Sequence, residues 1–266
     1  MTAAIRSPAG CLFGVSLGPG DPELITRRAW SALTSGARWA YPVKGRGAIS
    51  FALDIVARAG LPIPSDAEPL HFPMTSDPEA LSLAWERTGR RCAELLVDGR
   101  DLLFLVEGDA STYSTFGHLV RAVRAQVPDV AVETIPGVPS YTAAAARLGA
   151  PLVEEGGTLA VIPAAYGVEV IDRMIDAFDT LVLLKVNPLL DQILTLLEHR
   201  GLLGEARFVE RVGTPEERVV ELVETLRGER VPYLSLLLVR NPGRVRGPQH
   251  RGCAKVAERT TDLRGS

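Results

Sequence analysis

The segment GPGDPELIT (residues 18–26) ends a short apolar run and opens a helical one, a position at which α/β proteins often bind nucleotides. A phosphate cradle there uses bare backbone amides and a cation, as in GxxxxGK[ST], or a GxGxxG turn. This loop has neither. It lacks a lysine, Pro19 has no amide proton, and Asp21 brings a negative charge to the helix start, so the loop disfavours a ligand that leads with a phosphate. Two further stretches are built alike: VEGDASTYSTF (106–116) and IPGVPSYTAAAARLGAPL (135–152) each follow an apolar run and precede a helix. In an open parallel sheet, loops leaving the carboxyl ends of neighbouring strands face one crevice, so the three are expected to meet. Singly, their residues have plain roles. Asp21 reads as a helix N-cap before Pro22, Asp109 as a cap for a helix near Thr115, Ser111, Thr112, Ser114 and Thr115 as local hydrogen-bonding groups, and Tyr113 as a packed aromatic.

The elements that carry these loops follow from the pattern of short β-branched runs alternating with longer helical ones, which marks an α/β protein with mostly parallel sheets. Strands are expected at 11–17, 37–43, 101–107 and 130–135, with helices at 22–34, 50–60, 77–98, 115–126 and 139–148. Asp77-Pro78 repeats the N-cap and first-turn proline of Asp21-Pro22. At PLVEEGG (151–157) the helical pattern stops and a new series begins. It reads strand 158–163, helix 168–177, strand 180–186, helix 188–200, strand 206–212, helix 215–226 and strand 233–240. Two domains are therefore expected, at 11–151 and 157–241, followed by a basic, aperiodic and partly disordered tail over 242–266. There is no internal repeat.

Composition narrows the function classes. The chain has 266 residues, of which 46% are hydrophobic and 23% charged, an ordinary globular balance. A net charge of −3 offers no general attraction for nucleic acid or anionic membrane, and no window reaches the apolar length of a bilayer span. Cys11, Cys92 and Cys253 are widely spaced, without a CxxC, so neither a disulfide framework nor a zinc site is supported. His71 and His118 have no ligand-spaced partner, and no metal site is expected. The N-terminal MTAAIRSPAG is too short and polar for a signal peptide, and a cytoplasmic location is the simplest reading.

Taken together, GPGDPELIT, EGDASTYSTFGHL and IPGVPSYTAAAARLGAPL resemble the motifs of the tetrapyrrole methylase family, over roughly residues 11–241. YPVKGRG (41–47), the YSTF form of the second loop and MTSDPEALSLAWER (74–87) are most similar to its C-20 methyltransferases of cobalamin biosynthesis. The resemblance implies two α/β/α domains, the first sheet mostly parallel and the second mixed, with the active-site cleft between them. It implies a homodimer, a small-molecule tetrapyrrole substrate, and S-adenosyl-L-methionine as methyl donor, leaving as S-adenosyl-L-homocysteine. Cofactor contacts carried over fall on Pro19, Glu107, Gly108, Asp109, Thr112, Pro139 and Ser140, and, from the second half, on Lys185, Val212 and Leu238. The three of the second half also read as plain strand packing. The family's Gly-Asp-Pro stands here as Gly108-Asp109-Ala110, which frees one backbone dihedral and keeps the aspartate. A second departure is Pro139-Ser140, where the family carries a threonine-alanine type pair after the PGV turn.

The donor suits the loops, since it carries a sulfonium, an ammonium, a carboxylate and an adenosine but no phosphate. The implied reaction is methylation of precorrin-2 at C-20 to precorrin-3A, or of its cobalt form in the anaerobic route. A reduced tetrapyrrole supplies an electron-rich carbon, so the protein's main task is alignment, and only the C-20 proton needs an acceptor afterwards. Asp21, Glu107 and Tyr113 are the polar candidates for that role, unranked. Lys44 and Arg46 are candidates for the substrate's carboxylates, or else ordinary solvated charges, while Arg27 and Arg28 lie on a helix surface. Rival readings are methylation of another macrocycle carbon, a non-catalytic binder of the donor or of a tetrapyrrole, and a methylase of a protein histidine like the related diphthamide synthase.

Overall fold

The computed structural model describes residues 9–45, 50–72, 77–154 and 156–245. Arg46, Cys253, the start of MTSDPEAL and the tail from 246 onward lie outside the described residues.

The first half is a parallel sheet whose strands are β1 (Leu12–Ser16), β2 (Arg38–Val43), β3 (Glu68–His71), β4 (Leu102–Val106) and β5 (Val132–Ile135), in the order β3-β2-β4-β1-β5. Parallel pairing demands a crossover after each strand. The crossovers carry α1 (Arg27–Leu33), α2 (Phe51–Arg58), α3 (Pro78–Leu96) and α4 (Phe116–Arg124), and β5 leads into α5 (Ser140–Arg147). Side chains alternate along each strand, so the central strands bury both faces. Leu102, Phe104 and Val106 pack on Cys92, Leu95 and Leu96 of α3 and on Leu119 and Val123 of α4. Leu103 and Leu105, with Val15 and Trp39, pack on Ala29 and Leu33 of α1 and on Ala52, Ile55 and Val56 of α2. Cys92 serves as an apolar side chain, its thiol pushed up to about 12 by burial.

The second sheet is mixed, with β6 (Leu159–Pro163), β7 (Thr180–Leu184), β8 (Ala206–Glu210), β9 (Arg218–Val220) and β10 (Ser235–Arg240) in the order β6-β7-β10-β8-β9. Only β6 and β7 are parallel; β10 runs antiparallel between β7 and β8, and β8 antiparallel to β9. One face is covered by α6 (Val168–Ala177) and α7 (Leu190–His199). The other, formed by Val182, Leu184, Val209, Leu236 and Leu238, is packed by Ala144 and Ala145 of α5, the last helix of the first half. The expected α/β architecture, parallel then mixed, is therefore the one observed. No helix among the described residues is long and apolar enough to cross a membrane.

Three local readings are corrected. The helix expected at 22–34 is split: Asp21 caps a single 3-10 turn, Pro22–Leu24, by accepting from the Glu23 amide at 2.9 Å, Ile25 is extended, and Thr26 caps α1 afresh through the Ala29 amide. The helix expected at 215–226 is β9 followed by a 3-10 turn at Val223–Leu226. Its capping-box look is local, because Thr214 accepts from the Glu216 amide at 3.2 Å and Glu217 from the Gly213 amide at 2.8 Å, closing one turn before β-branched Val219 and Val220 pair with β8. The edge strand β3 was not legible because Pro69 interrupts it and Leu70 is its one buried residue.

Close helix packing gives a stability test. A Cβ on Gly89 of α3 would stand 2.5 Å from the Ala122 carbonyl oxygen of α4. Gly89→Ala gains about 1 kcal/mol of helix propensity but forces the helices apart at a cost of about 1–3 kcal/mol. The expected outcome is a lower Tm in thermal denaturation; an unchanged or raised Tm would show that the pair adjusts freely.

Candidate functional site

The loops after β1, β4 and β5 are tied together by backbone and by one carboxylate. Gly18 and Gly108 exchange amide-to-carbonyl bonds, 3.2 Å in one direction and 2.6 Å in the other, with φ of +77° and +72°, which glycine adopts without strain. The Asp109 carboxylate accepts from the Thr112 hydroxyl at 2.9 Å, from the Ser111 and Gly137 amides at 3.3 Å each, and from the Ser16 hydroxyl at 3.5 Å. Ser16, fully buried, accepts in turn from the Ala110 amide at 2.8 Å. Asp109 is thus no cap for α4, contrary to its plain sequence reading. The N-cap is Thr115, whose side chain makes no capping bond, and Ser114 before it accepts from the Phe116 amide at 2.9 Å. Gly137 has to be glycine, since a Cβ there would stand 2.4 Å from the Cβ of Ser16 and 2.7 Å from the Gly108 carbonyl oxygen.

The loops face the second sheet across a cleft of about 470 Å³, a volume usual for small-molecule sites. Three contacts hold the halves in place. A Cβ on Gly20 would stand 2.6 Å from the Val212 carbonyl oxygen, so these backbones touch. The Tyr113 hydroxyl donates to the Val161 carbonyl at 2.7 Å, and Arg147 pairs with Glu217. Tyr113, Lys185 and Arg211 all line the cleft and all have positive φ, of 50°, 57° and 50°, the non-glycine residues that do so among those described. Strained backbone of this kind persists where surrounding structure fixes it and gathers at functional sites.

One charged cluster in the cleft draws on both halves. Tyr233 presents its ring to two cations, with Lys44 Nζ 5.5 Å and Lys185 Nζ 5.2 Å from its centroid, one lysine from each half. Glu107 lies on the same cleft. Loss of solvent raises its carboxyl above the ordinary range, and the charges of Lys44 and Lys185 oppose that rise.

Of the residues singled out in the sequence, Pro19, Lys44, Glu107, Gly108, Asp109, Thr112, Tyr113, Pro139, Ser140, Lys185 and Val212 are brought to the cleft wall. Leu238 is not. It lies under α5 in the packed face of the second sheet, and Leu236, two residues nearer the strand's start and on the same face, lines the cleft instead. Asp21 is also off the wall, its carboxylate turned to the Glu23 amide. Tyr113 is on the wall, but its hydroxyl is committed to Val161, and burial, with Tyr166 and Tyr141 nearby, pushes its pKa further up, which disfavours a proton acceptor. Arg46 lies outside the described residues. Ser50, Arg211 and Tyr233 are wall residues the sequence did not single out. Among the described residues no group of histidine, cysteine or acidic side chains is arranged to hold a metal.

The chain matches the family model described as Tetrapyrrole (Corrin/Porphyrin) Methylases over residues 11–226. It is 33% identical to the cobalt-precorrin-2 C(20)-methyltransferase of Salmonella typhimurium, covering 86% of this chain and 96% of that one. It is 31% identical to the precorrin-2 C(20)-methyltransferase of Sinorhizobium sp, covering 86% and 95%. Among solved structures, it is similar to the uroporphyrin-III C-methyl transferase of Thermus thermophilus complexed with S-adenyl homocysteine, at TM-score 0.60 and 25% identity, covering 87% and 97%. The matched span holds all three loops and most of both sheets that enclose the cleft, and the chain belongs to the tetrapyrrole methylase family.

Proposed function

We propose that this protein transfers a methyl group from S-adenosyl-L-methionine to C-20 of precorrin-2, giving precorrin-3A in cobalamin biosynthesis. The observation that carries the reading is similarity over nearly the whole length to two C-20 methyltransferases, with the loops that carry it closing a single cleft. The cofactor residues of the reading are Pro19, Glu107, Gly108, Asp109, Thr112, Pro139, Ser140, Lys185 and Val212, all on that wall. The wall fits such a donor. Val212 and Leu236 offer apolar surface, the first amides of α5 after Pro139 suit a carboxylate, and no lysine stands in the Gly18–Asp21 turn to demand a phosphate. The donor supplies an activated methyl whose thioether leaves without acid, so the chain's work is positioning and one proton transfer.

In this reading the Asp109 knot sets the three loops before ligands arrive, and the backbone contact of Gly20 with Val212 fixes the spacing of the two walls. Lys44 and Tyr233 face the substrate's acidic periphery. Glu107 accepts the C-20 proton after transfer, being the polar candidate that both lines the cleft and has no hydrogen bond tying its carboxylate to the fold among the described residues. The same reading takes residues 11–151 and 157–241 as the two subdomains, the assembly as a homodimer and the compartment as the cytoplasm.

Anaerobic incubation with methyl-labelled donor and precorrin-2, with and without cobalt, tests the reaction. One labelled methyl at C-20, seen by mass and carbon NMR, is the expected product, and the ratio of the two rates assigns the metal-free or the cobalt route. Label at another carbon, or donor binding without transfer, would overturn the C-20 assignment. A pH profile tests Glu107. The acceptor must be ionised, so kcat should rise with pH through a value above the ordinary carboxylate range, and Glu107→Gln should remove that limb with a loss of about 10²-fold or more. Stability moves the other way. Between the unfolded value and the raised folded one, the folded state keeps a proton the unfolded chain has lost, so stability falls as pH rises through that window, and Glu107→Gln should flatten the fall.

A further inference from the structure

Ser50 stands at the N-cap of α2 and does not cap it. An N-cap serine ordinarily accepts from an amide two or three residues on. Here the residue is only 6% exposed, its hydroxyl has no hydrogen-bond partner among the described residues, and it lines the cleft. The first amide of the helix to reach a helical carbonyl is that of Asp54, which donates to Ser50 at 3.0 Å. The amides of Phe51, Ala52 and Leu53 have no acceptor inside the helix, as at any helix start. Phe51 and Ala52 lie on the cleft wall with Ser50, and so does Lys44 from the end of β2.

These groups are all donors or cations, and Ser50, Phe51, Ala52 and Lys44 share one cleft wall. A helix N-terminus carries a partial positive charge, and a hydroxyl beside it adds a hydrogen-bond donor. The acid of the first turn does not cancel it, because Asp54 is paired with Arg58 at 2.8 Å. Arg58 also donates to the Gly20 carbonyl at 2.6 Å, which pins α2 to the first cleft loop. Phe51, 44% exposed on the same wall, offers an apolar surface next to the donors. Lys44, Lys185 and Arg211 line the cleft against two acids, Glu107 and Asp109, and the Asp109 carboxylate is already taken up by donors of its own loops, so an incoming anion meets more cations than open carboxyls.

We propose that Ser50, the first amides of α2 and Lys44 form a carboxylate subsite that takes one acidic side arm of the tetrapyrrole. This rests on the tetrapyrrole reading given above and deepens it. The subsite acts on orientation. A macrocycle with acidic arms around its rim can enter in several rotations, and a single buried carboxylate site with an aromatic face beside it favours the rotation that presents one meso carbon to the donor. A desolvated donor set of this kind rejects a neutral arm, which would leave the hydroxyl and amides unpaired.

The experiment compares wild type, Ser50→Ala and Ser50→Thr in precorrin-2 turnover, in fluorescence titration with the octacarboxylate uroporphyrin III and the tetracarboxylate coproporphyrin III, and in donor binding. Ser50→Ala is expected to raise KM for precorrin-2 and Kd for uroporphyrin III roughly tenfold, the scale of one lost charge-assisted hydrogen bond. The Kd for the donor stays unchanged, and Ser50→Thr, which keeps the hydroxyl, stays near wild type. The Tm of Ser50→Ala should be equal to or above wild type, because the hydroxyl removed has no partner in the fold; a capping role would lower it. Unchanged KM and uroporphyrin Kd in Ser50→Ala, or a loss that follows a fallen Tm, would overturn the subsite. Wild-type protein that neither turns over precorrin-2 nor binds either porphyrin would overturn the tetrapyrrole reading, and the subsite with it.

Discussion

Asp109 gathers the carboxyl ends of parallel strands into one position. Its two oxygens take donors from Ser16 at the end of β1, from Ser111 and Thr112 of its own loop, and from Gly137 after β5. A carboxylate is suited to the task, because hydrogen bonds to a charged acceptor are about twice as strong as neutral ones and one group satisfies several otherwise orphaned amides. The knot needs glycine at 137 because any side chain would collide with Ser16, and the Gly18–Gly108 exchange completes it with backbone alone. Three loops that would wander separately become one wall. The cleft is therefore built by strand ends, with the helices filling the space behind them.

The opposite wall is made rigid by a different means. Lys185 and Arg211 leave β7 and β8 in left-handed conformations, and their amides donate to Ser235 at 2.9 Å and to Leu234 at 2.8 Å, beside β10. The start of the central strand thus holds one strained residue on each side, and Tyr233 just before it meets Lys185 and the Lys44 of the other half. The result is a cationic rim with an aromatic centre. A slightly acidic chain can in this way receive a polyanion: its charges are distributed locally rather than in the total.

Much of this was legible in the sequence because it rests on local chemistry. β1, β4 and β7 are continuous apolar runs bounded by turn residues, and the three loops declare themselves by Gly, Pro and Asp at strand ends. What failed had a cause each time. The 3-10 turn at Pro22–Leu24 and α1 merge in the sequence since both begin with a good cap, and the Thr214 to Glu217 turn imitates a helix start that β9 pairing then overrides. Leu238 and Leu236 share one face of β10, and position along the strand, which sequence pattern does not resolve, puts Leu236 at the cleft and Leu238 under α5. Tyr233 has no chemistry-bearing neighbour in the chain and reaches the site through the antiparallel insertion of β10, a long-range event that local spacing does not encode. Ser50 merely opens the helix expected at 50–60, and only the structure shows its hydroxyl buried and unused.

Helix α5 belongs to the first half by chain order and to the second by packing, since Ala144 and Ala145 complete the apolar face of the mixed sheet. The central strand of that sheet, β10, is also the last strand among the described residues. During synthesis the parallel sheet can therefore form early, but α5 waits with its alanine face undocked until the ribosome has released residues near 240. The packing of α5, the centre of the sheet and the place of Tyr233 on the cleft wall all depend on that one stretch of chain. A chain that ends short of β10 therefore lacks the part of the cleft wall that Tyr233 and Leu236 supply.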